Sequence, residues 1–281
     1  MRRTLRIELW KATHSKMFFL SLAVGLFLAL GDSYLSSMTV SELHQATLDG
    51  LAQGYGTGSH AGFSLFVLWM PINGFHITST YFYLIWPALA AIPFGWSYCQ
   101  ERRSGVTQQI TTRSNKRIYF NSKYIAVFVS GGLAVMIPVL VNLLVDALIC
   151  PYELPILGLV PIFNGNFLSG LYYTNPWLYA ICWCGMEFLF GGAAACLCFI
   201  TGSMLRFQVM TILVPLVLLT IFDSLSVRIF RGINLTVSPL QMAVAASANI
   251  NPGWVLFTAL GIMLGISYAA GYWQVVKHEA I

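Results

Sequence analysis

The sequence predicts an all-α polytopic membrane protein with about six transmembrane helices, both termini cytoplasmic, and an amphipathic interfacial helix before the first span. Three observations predict it. The chain is 57% hydrophobic and 9% charged, against roughly 25% charged in an average soluble domain. Its apolar residues gather in runs of about the 20 residues that a helix needs to cross roughly 30 Å of hydrocarbon. Its Lys and Arg residues flank those runs unevenly, and basic flanks are retained on the cytoplasmic side.

The leader, residues 1–16, places Leu5, Leu9 and Ala12 at helical spacing, with Trp10 suited to headgroup depth and Arg and Lys suited to lipid phosphates. The first apolar run, 17–36, follows a basic start and ends in small residues as a signal peptide does, but its leader is long for that role. A retained anchor is expected. Arg2, Arg3, Arg6, Lys11 and Lys16 precede it, and the stretch from Asp32 to Tyr81 has no Lys or Arg, which puts the N-terminus inside. Residues 61–72, AGFSLFVLWMPI, reach only about 18 Å as a helix and read as an interfacial or partly buried outer helix.

The remaining runs are 79–98, 125–148, 177–200, 208–224 and 253–274. Between the second and third lies 101–123, ERRSGVTQQITTRSNKRIYFNSK, which holds Arg102, Arg103, Arg113, Lys116, Arg117 and Lys123, so this loop is placed in the cytoplasm. Arg206 and Lys277 agree with that orientation, and Arg228 and Arg231 depart from it. The outer segments, about 37–78 and 225–252, are too short for a core of their own. A single transmembrane domain spanning 1–281 is expected. The net charge of +5 fits basic flanks against anionic lipid, and nucleic acid is not an expected partner.

Within the loop, Val106 and Ile110 stand four apart among polar residues and Ser104 or Thr107 can cap, which predicts a short exposed helix. A solvated basic loop that only sets topology is the other reading of the same residues. The order Glu101, Gly105, Thr111, Arg113, Arg117, Lys123 and then a long apolar span resembles the first cytoplasmic loop of type 2 ABC exporter permeases. In that family an acidic residue ends the second span, a Gly-led coupling helix and a turn follow, and a Lys opens the third span. Ser114 stands where the turn commonly has Pro, and Val106 where Thr is common.

The resemblance implies a half-transporter that pairs with a second permease subunit, as homodimer or heterodimer, and with two copies of an ATP-binding subunit. Glu101, Arg102, Arg103, Gly105, Val106, Ile110, Arg113 and Arg117 are then the coupling and ATPase-interface residues, with Gly105 permitting the turn. No catalytic residue is expected. The chain has no G-x-x-x-x-G-K-[ST] loop, so no cofactor is expected on it, and ATP and Mg belong to the partner. The expected location is the inner (plasma) membrane of a bacterium, and the expected cargo is hydrophobic or amphipathic, a peptide antibiotic or a lipid. A channel-like or scaffold subunit without ATP coupling is the alternative.

Ionisable groups inside spans cost several kcal/mol unless paired or hydrated. Glu187, in the fourth run, is the candidate for the translocation path or for a cationic substrate group; a hydrogen-bonded carboxyl stabilising helix packing is the competing reading. Asp146 and Asp223 read as headgroup-level polar residues. Gly191, Gly192 and Ala193 to Ala195 would allow close approach of another helix, within the chain or in a dimer. Cys182 and Cys196 share a face but lie about 21 Å apart, so the fourth run's cysteines read as free thiols and no metal site is expected. Intramembrane enzymes fit poorly. The His278–Glu279 pair lacks a second His downstream, and His14, His44, His60 and His76 lie outside the cores of the apolar runs, as ordinary loop residues.

Overall fold

The structure is a computed structural model that describes residues 2–53, 64–74, 76–105, 116–156, 162–201, 205, 207–230, 232, 234–247 and 249–277. Its elements among these residues are helical, with one isolated parallel bridge between Leu235 and Ile250. Five stretches are long and apolar enough to cross a membrane: Lys16–Ala52, Lys116–Ile149, Pro176–Ile200, Gln208–Ile229 and Gly253–Val275.

The leader forms α1, Arg2–Thr13, and a short break at Ser15 starts α2, Lys16–Ala52. Ser15 caps α2 by accepting from Phe18 N at 3.0 Å, and its hydroxyl faces Pro93 O at 3.1 Å. That second contact ties the break to another part of the chain. With 37 residues, α2 is about 55 Å long. It outruns the predicted span because the helix continues through 37–52, where polar and apolar residues alternate in a mostly exposed stretch that hydropathy does not mark.

The short helix α3, Leu65–Leu68, opens a buried apolar segment whose Trp69 indole donates to Val139 O at 3.3 Å. The described part of the 61–72 segment thus belongs to the core, with α3 as its four-residue helix. The predicted second span is where the structure departs most from one continuous helix. Helix α4, Ile77–Ala91, has 15 residues, a turn follows over 92–96, and α5, Ser97–Arg103, completes the segment. Pro93 supplies no N–H to the ladder, and a Cβ at Gly95 would stand 2.7 Å from both Ala91 O and Cys198 Sγ. Close packing at Gly95 and the missing donor at Pro93 together turn the chain after Ala91.

Helix α6, Lys116–Ile149, is the spine of the bundle, packed on α1, α2, α4 and α8, Pro176–Cys196. Glycine lets α6 and α8 meet at backbone distance. A Cβ at Gly191 would lie 3.0 Å from Gly131 O, and one at Gly192 only 2.6 Å from the Phe128 ring. The Gly191 to Ala195 stripe is therefore consumed by packing inside the chain. A short helix, α7 (Ser169–Thr174), precedes α8, and α9 (Cys198–Thr201) follows it. The remaining helices are α10 (Gln208–Ile229), α11 (Pro239–Met242) and α12 (Gly253–Tyr272). At the end of the bundle away from 101–123, the connecting segments are knitted together: Ala245 N donates to Pro71 O at 2.9 Å and Phe167 N to Asn251 O at 2.8 Å.

Candidate functional site

Two clusters of buried charge stand at opposite ends of α6, with a buried carboxyl between them. The first lies where α1, α5 and the start of α6 meet. Lys123 is 0% exposed. Its ammonium sits 2.5 Å from Glu101 Oε2 on α5 and 3.4 Å from Glu8 Oε2 on α1. It also lies over the rings of Phe94 and Tyr119, at 5.2 and 5.3 Å from the centroids. Tyr119 donates its hydroxyl to the same Glu101 oxygen. Lys11 completes the set at 3.1 Å from Glu8 Oε1.

Two carboxylates thus share two ammoniums, which is the condition under which buried ions are tolerated. Burial pushes the Glu101 carboxyl up, but Lys123 beside it, the Tyr119 hydroxyl and the more distant Lys11 outweigh that and hold it below its ordinary value. Glu101 was singled out from the sequence, and Lys123 as the residue opening the third span. Glu8 was not, because a Glu in a charged leader reads as a headgroup-facing residue. Helical phase puts Glu8 and the buried Ala12 on the inward face, while Trp10 is exposed on the other.

The other coupling candidates surround this cluster. Arg102 and Arg103 are exposed at the last turn of α5, and Arg117 is exposed in the first turn of α6. Gly105 has φ +76 and donates its N–H to Arg102 O at 3.2 Å, the left-handed residue that closes a helix. Val106, Ile110 and Arg113 lie outside the described residues, so the short helix expected there does too.

The second cluster lies at the far end of α6. Asp32 of α2 is 0% exposed. Its Oδ1 meets His76 Nδ1 at 3.1 Å and accepts from Thr78 Oγ1 at 3.0 Å. Asn142 of α6 turns its amide nitrogen to Ser33 Oγ at 2.9 Å, Ala29 O at 3.2 Å and Asp32 Oδ2 at 3.5 Å. One helical turn on, Asp146 is also 0% exposed, and neither carboxyl oxygen has a well-formed hydrogen bond. This corrects the headgroup-level reading of Asp146. It faces inward because positions 142 and 146 share the α6 face that packs on α2. His76 is likewise no ordinary loop histidine. Asp32 was missed although its signal was plain, an acid inside the predicted 17–36 span.

Glu187, on α8, is 1% exposed. Tyr83 of α4 donates to its Oε1 at 2.8 Å, and Oε2 has no hydrogen-bond partner among the described residues. Tyr83 also borders a cavity of about 290 Å³ that is lined by Ser79, Thr80, Leu84, Leu240 and Gln241. The carboxyl is therefore one hydroxyl away from that cavity. Asp223 is half-buried on α10. The fourth-run cysteines are free and separate: Cys198 Sγ donates to Thr211 O at 3.3 Å. No group of three metal-ligating side chains occurs among the described residues.

No protein-family model matches the chain, and neither the curated proteins nor the solved structures include one similar to it.

Proposed function

We propose that the chain is the membrane-spanning permease subunit of an ATP-driven exporter of the type 2 ABC class. It moves a hydrophobic or amphipathic substrate outward, in an inner (plasma) membrane, with ATP hydrolysed by a separate subunit present in two copies. On this reading α4, the turn at 92–96 and α5 form one bent span, which makes six crossings and leaves both termini and the 101–123 segment cytoplasmic. A second permease subunit, identical or different, completes the path.

The observation that carries the reading is the Glu8–Lys123–Glu101 network. The basic loop begins at Glu101 and ends at Lys123, and those two residues are paired with each other, with Lys123 also paired to Glu8 of α1. A force applied to the loop is delivered to three helices at once and passes along α6, which packs on α2, α4 and α8. A loop that only set topology would not need its two ends locked together by buried ions.

The test is gentle extraction of the tagged protein followed by mass spectrometry of what accompanies it in stoichiometric amounts. The expected companion is a soluble chain with a phosphate-binding loop, lost when Arg113 and Arg117 are replaced by Ala while the permease still folds. Repeated recovery of the protein alone would favour the channel-like or scaffold reading.

A further inference from the structure

The far-end cluster has a charge deficit that packing does not repair. No Lys or Arg occurs between Lys16 and Arg102 or between Lys123 and Arg206, and among the described residues His76 is the one basic group within ion-pair distance of Asp32 or Asp146. With His76 charged and both acids ionised, one negative charge is left over. With His76 neutral, two are. Either count leaves an uncompensated carboxylate buried at a helix joint, a cost of several kcal/mol.

The hydrogen bonds show where the deficit falls. Asn142 has two amide hydrogens and already faces three acceptors, Ser33 Oγ, Ala29 O and Asp32 Oδ2, so Asp146 competes with all three for them. Asp32 collects Thr78, His76 and the edge of Asn142. Neither Asp146 oxygen has a partner of hydrogen-bond geometry, and the polar side chains beside it, Ser33 and Asn142, carry no charge. At His76 the ring nitrogen Nδ1 lies 2.8 Å from Asn73 Nδ2 and 3.1 Å from Asp32 Oδ1. A hydrogen must occupy the Nδ1–Oδ1 contact, carried by one atom or the other, because two lone pairs would otherwise face each other.

We propose that Asp32, His76 and Asp146 form a proton-binding site at the joint of α2, α4 and α6, with Asp146 holding its proton at neutral pH and the Asp32–His76 pair sharing a second. The titratable groups that face it are Tyr83 from α4, within the field of Asp32, and Cys150 after α6, within the fields of both acids. Neither supplies a positive charge. The proton is the ligand that closes the count: Asp146 neutral and one proton shared between Asp32 and His76 sum to zero, whichever of the pair carries it. Helix separation at this joint would admit water and release the Asp146 proton, so opening and proton release are one event. This does not depend on an ATP-hydrolysing partner.

The experiment is infrared spectroscopy of the purified full chain in lipid vesicles, with the carboxyl carbons of aspartate isotopically labelled. The labelled protonated-acid C=O band separates aspartate from Glu187 and the other glutamates. At pH 7 an aspartate in water is ionised and has no such band. The expected result is a labelled acid band at pH 7 that falls at least twofold in Asp146→Asn. Absence of the band in the unmutated protein overturns the proposal, and so does a band of undiminished intensity in Asp146→Asn. If that variant fails to fold, the unmutated labelled protein still decides whether a buried aspartic acid exists, and Asp49→Asn, at an exposed position of α2, serves as the variant that must leave the band unchanged.

Discussion

At the basic end, a buried lysine meets one buried and one half-buried glutamate, with a second lysine at the rim. At the far end, two buried aspartates meet one histidine. Both clusters join α6 to its neighbours, and both take carboxyl groups out of solvent. They differ in how the charge is balanced. The basic-end cluster is balanced by groups fixed in the sequence, two lysines against two glutamates, and it works as a clamp. The far-end cluster has no fixed cation, so its balance follows from how many protons it holds. One helix can thus be rigidly held where it meets the loop and conditionally held at its other end.

The sharpest way to break this comparison is Lys123→Met, which keeps most of the volume and removes the fixed cation. Glu101 and Glu8 are then left buried beside each other, and removing one partner of a buried ion pair costs about 3–5 kcal/mol. The expected outcome is a large fall in the thermal midpoint of the detergent-solubilised protein, followed by tryptophan fluorescence, and partial recovery when Glu101→Gln and Glu8→Gln are added. A midpoint unchanged by Lys123→Met would show that the clamp carries no stability.

At the far end the matching change, Asp32→Asn, should be milder. It removes a carboxylate that His76 and Thr78 recognise, but it also removes part of the uncompensated charge. Its amide must point NH₂ either at the Thr78 and His76 side or at the Asn142 amide nitrogen, so one contact becomes donor to donor. Loss of one buried hydrogen bond costs about 1–3 kcal/mol. The same melting measurement checks it, and a loss as large as that of Lys123→Met would mean that the far end is as rigidly charge-paired as the basic end.

How far each region was legible follows from the same contrast. The apolar runs gave the long helices closely, since the predicted 253–274 and 208–224 fall within Gly253–Val275 and Gln208–Ile229. The bend at Pro93 was written in the residues AIPFGW, but the hydropathy of the run concealed it. Glu101 and Lys123 were read as loop boundaries from their order along the chain. Their pairing with Glu8 spans 115 residues of sequence separation and is fixed by the docking of α1, which no local pattern encodes. Asp146 and Asp32 were both visible as acids, yet their shared burial depends on α2 and α6 crossing near Asn142. Gly191 and Gly192 announced a close helix contact, while Gly131, which meets Gly191, and Phe128, which meets Gly192, were not singled out.

The smallest expected effect concerns acid. Because its neighbours hold the Glu101 carboxyl below its ordinary 4.5, the stability that this group contributes is fully present above about pH 4.5 and is lost as pH falls through its lower, folded-state value. Protonation there releases Lys123 from its closest partner without unfolding α6. Spin labels on the exposed faces of α5 and α6 should therefore report a constant separation from neutral pH down to about 4.5 and a widening below it. In Glu101→Gln the acid group is gone, so that widening should disappear from this range. If α5 moved equally in both proteins, the acid step would belong to another group, and the clamp would lose its claim to be set by Glu101.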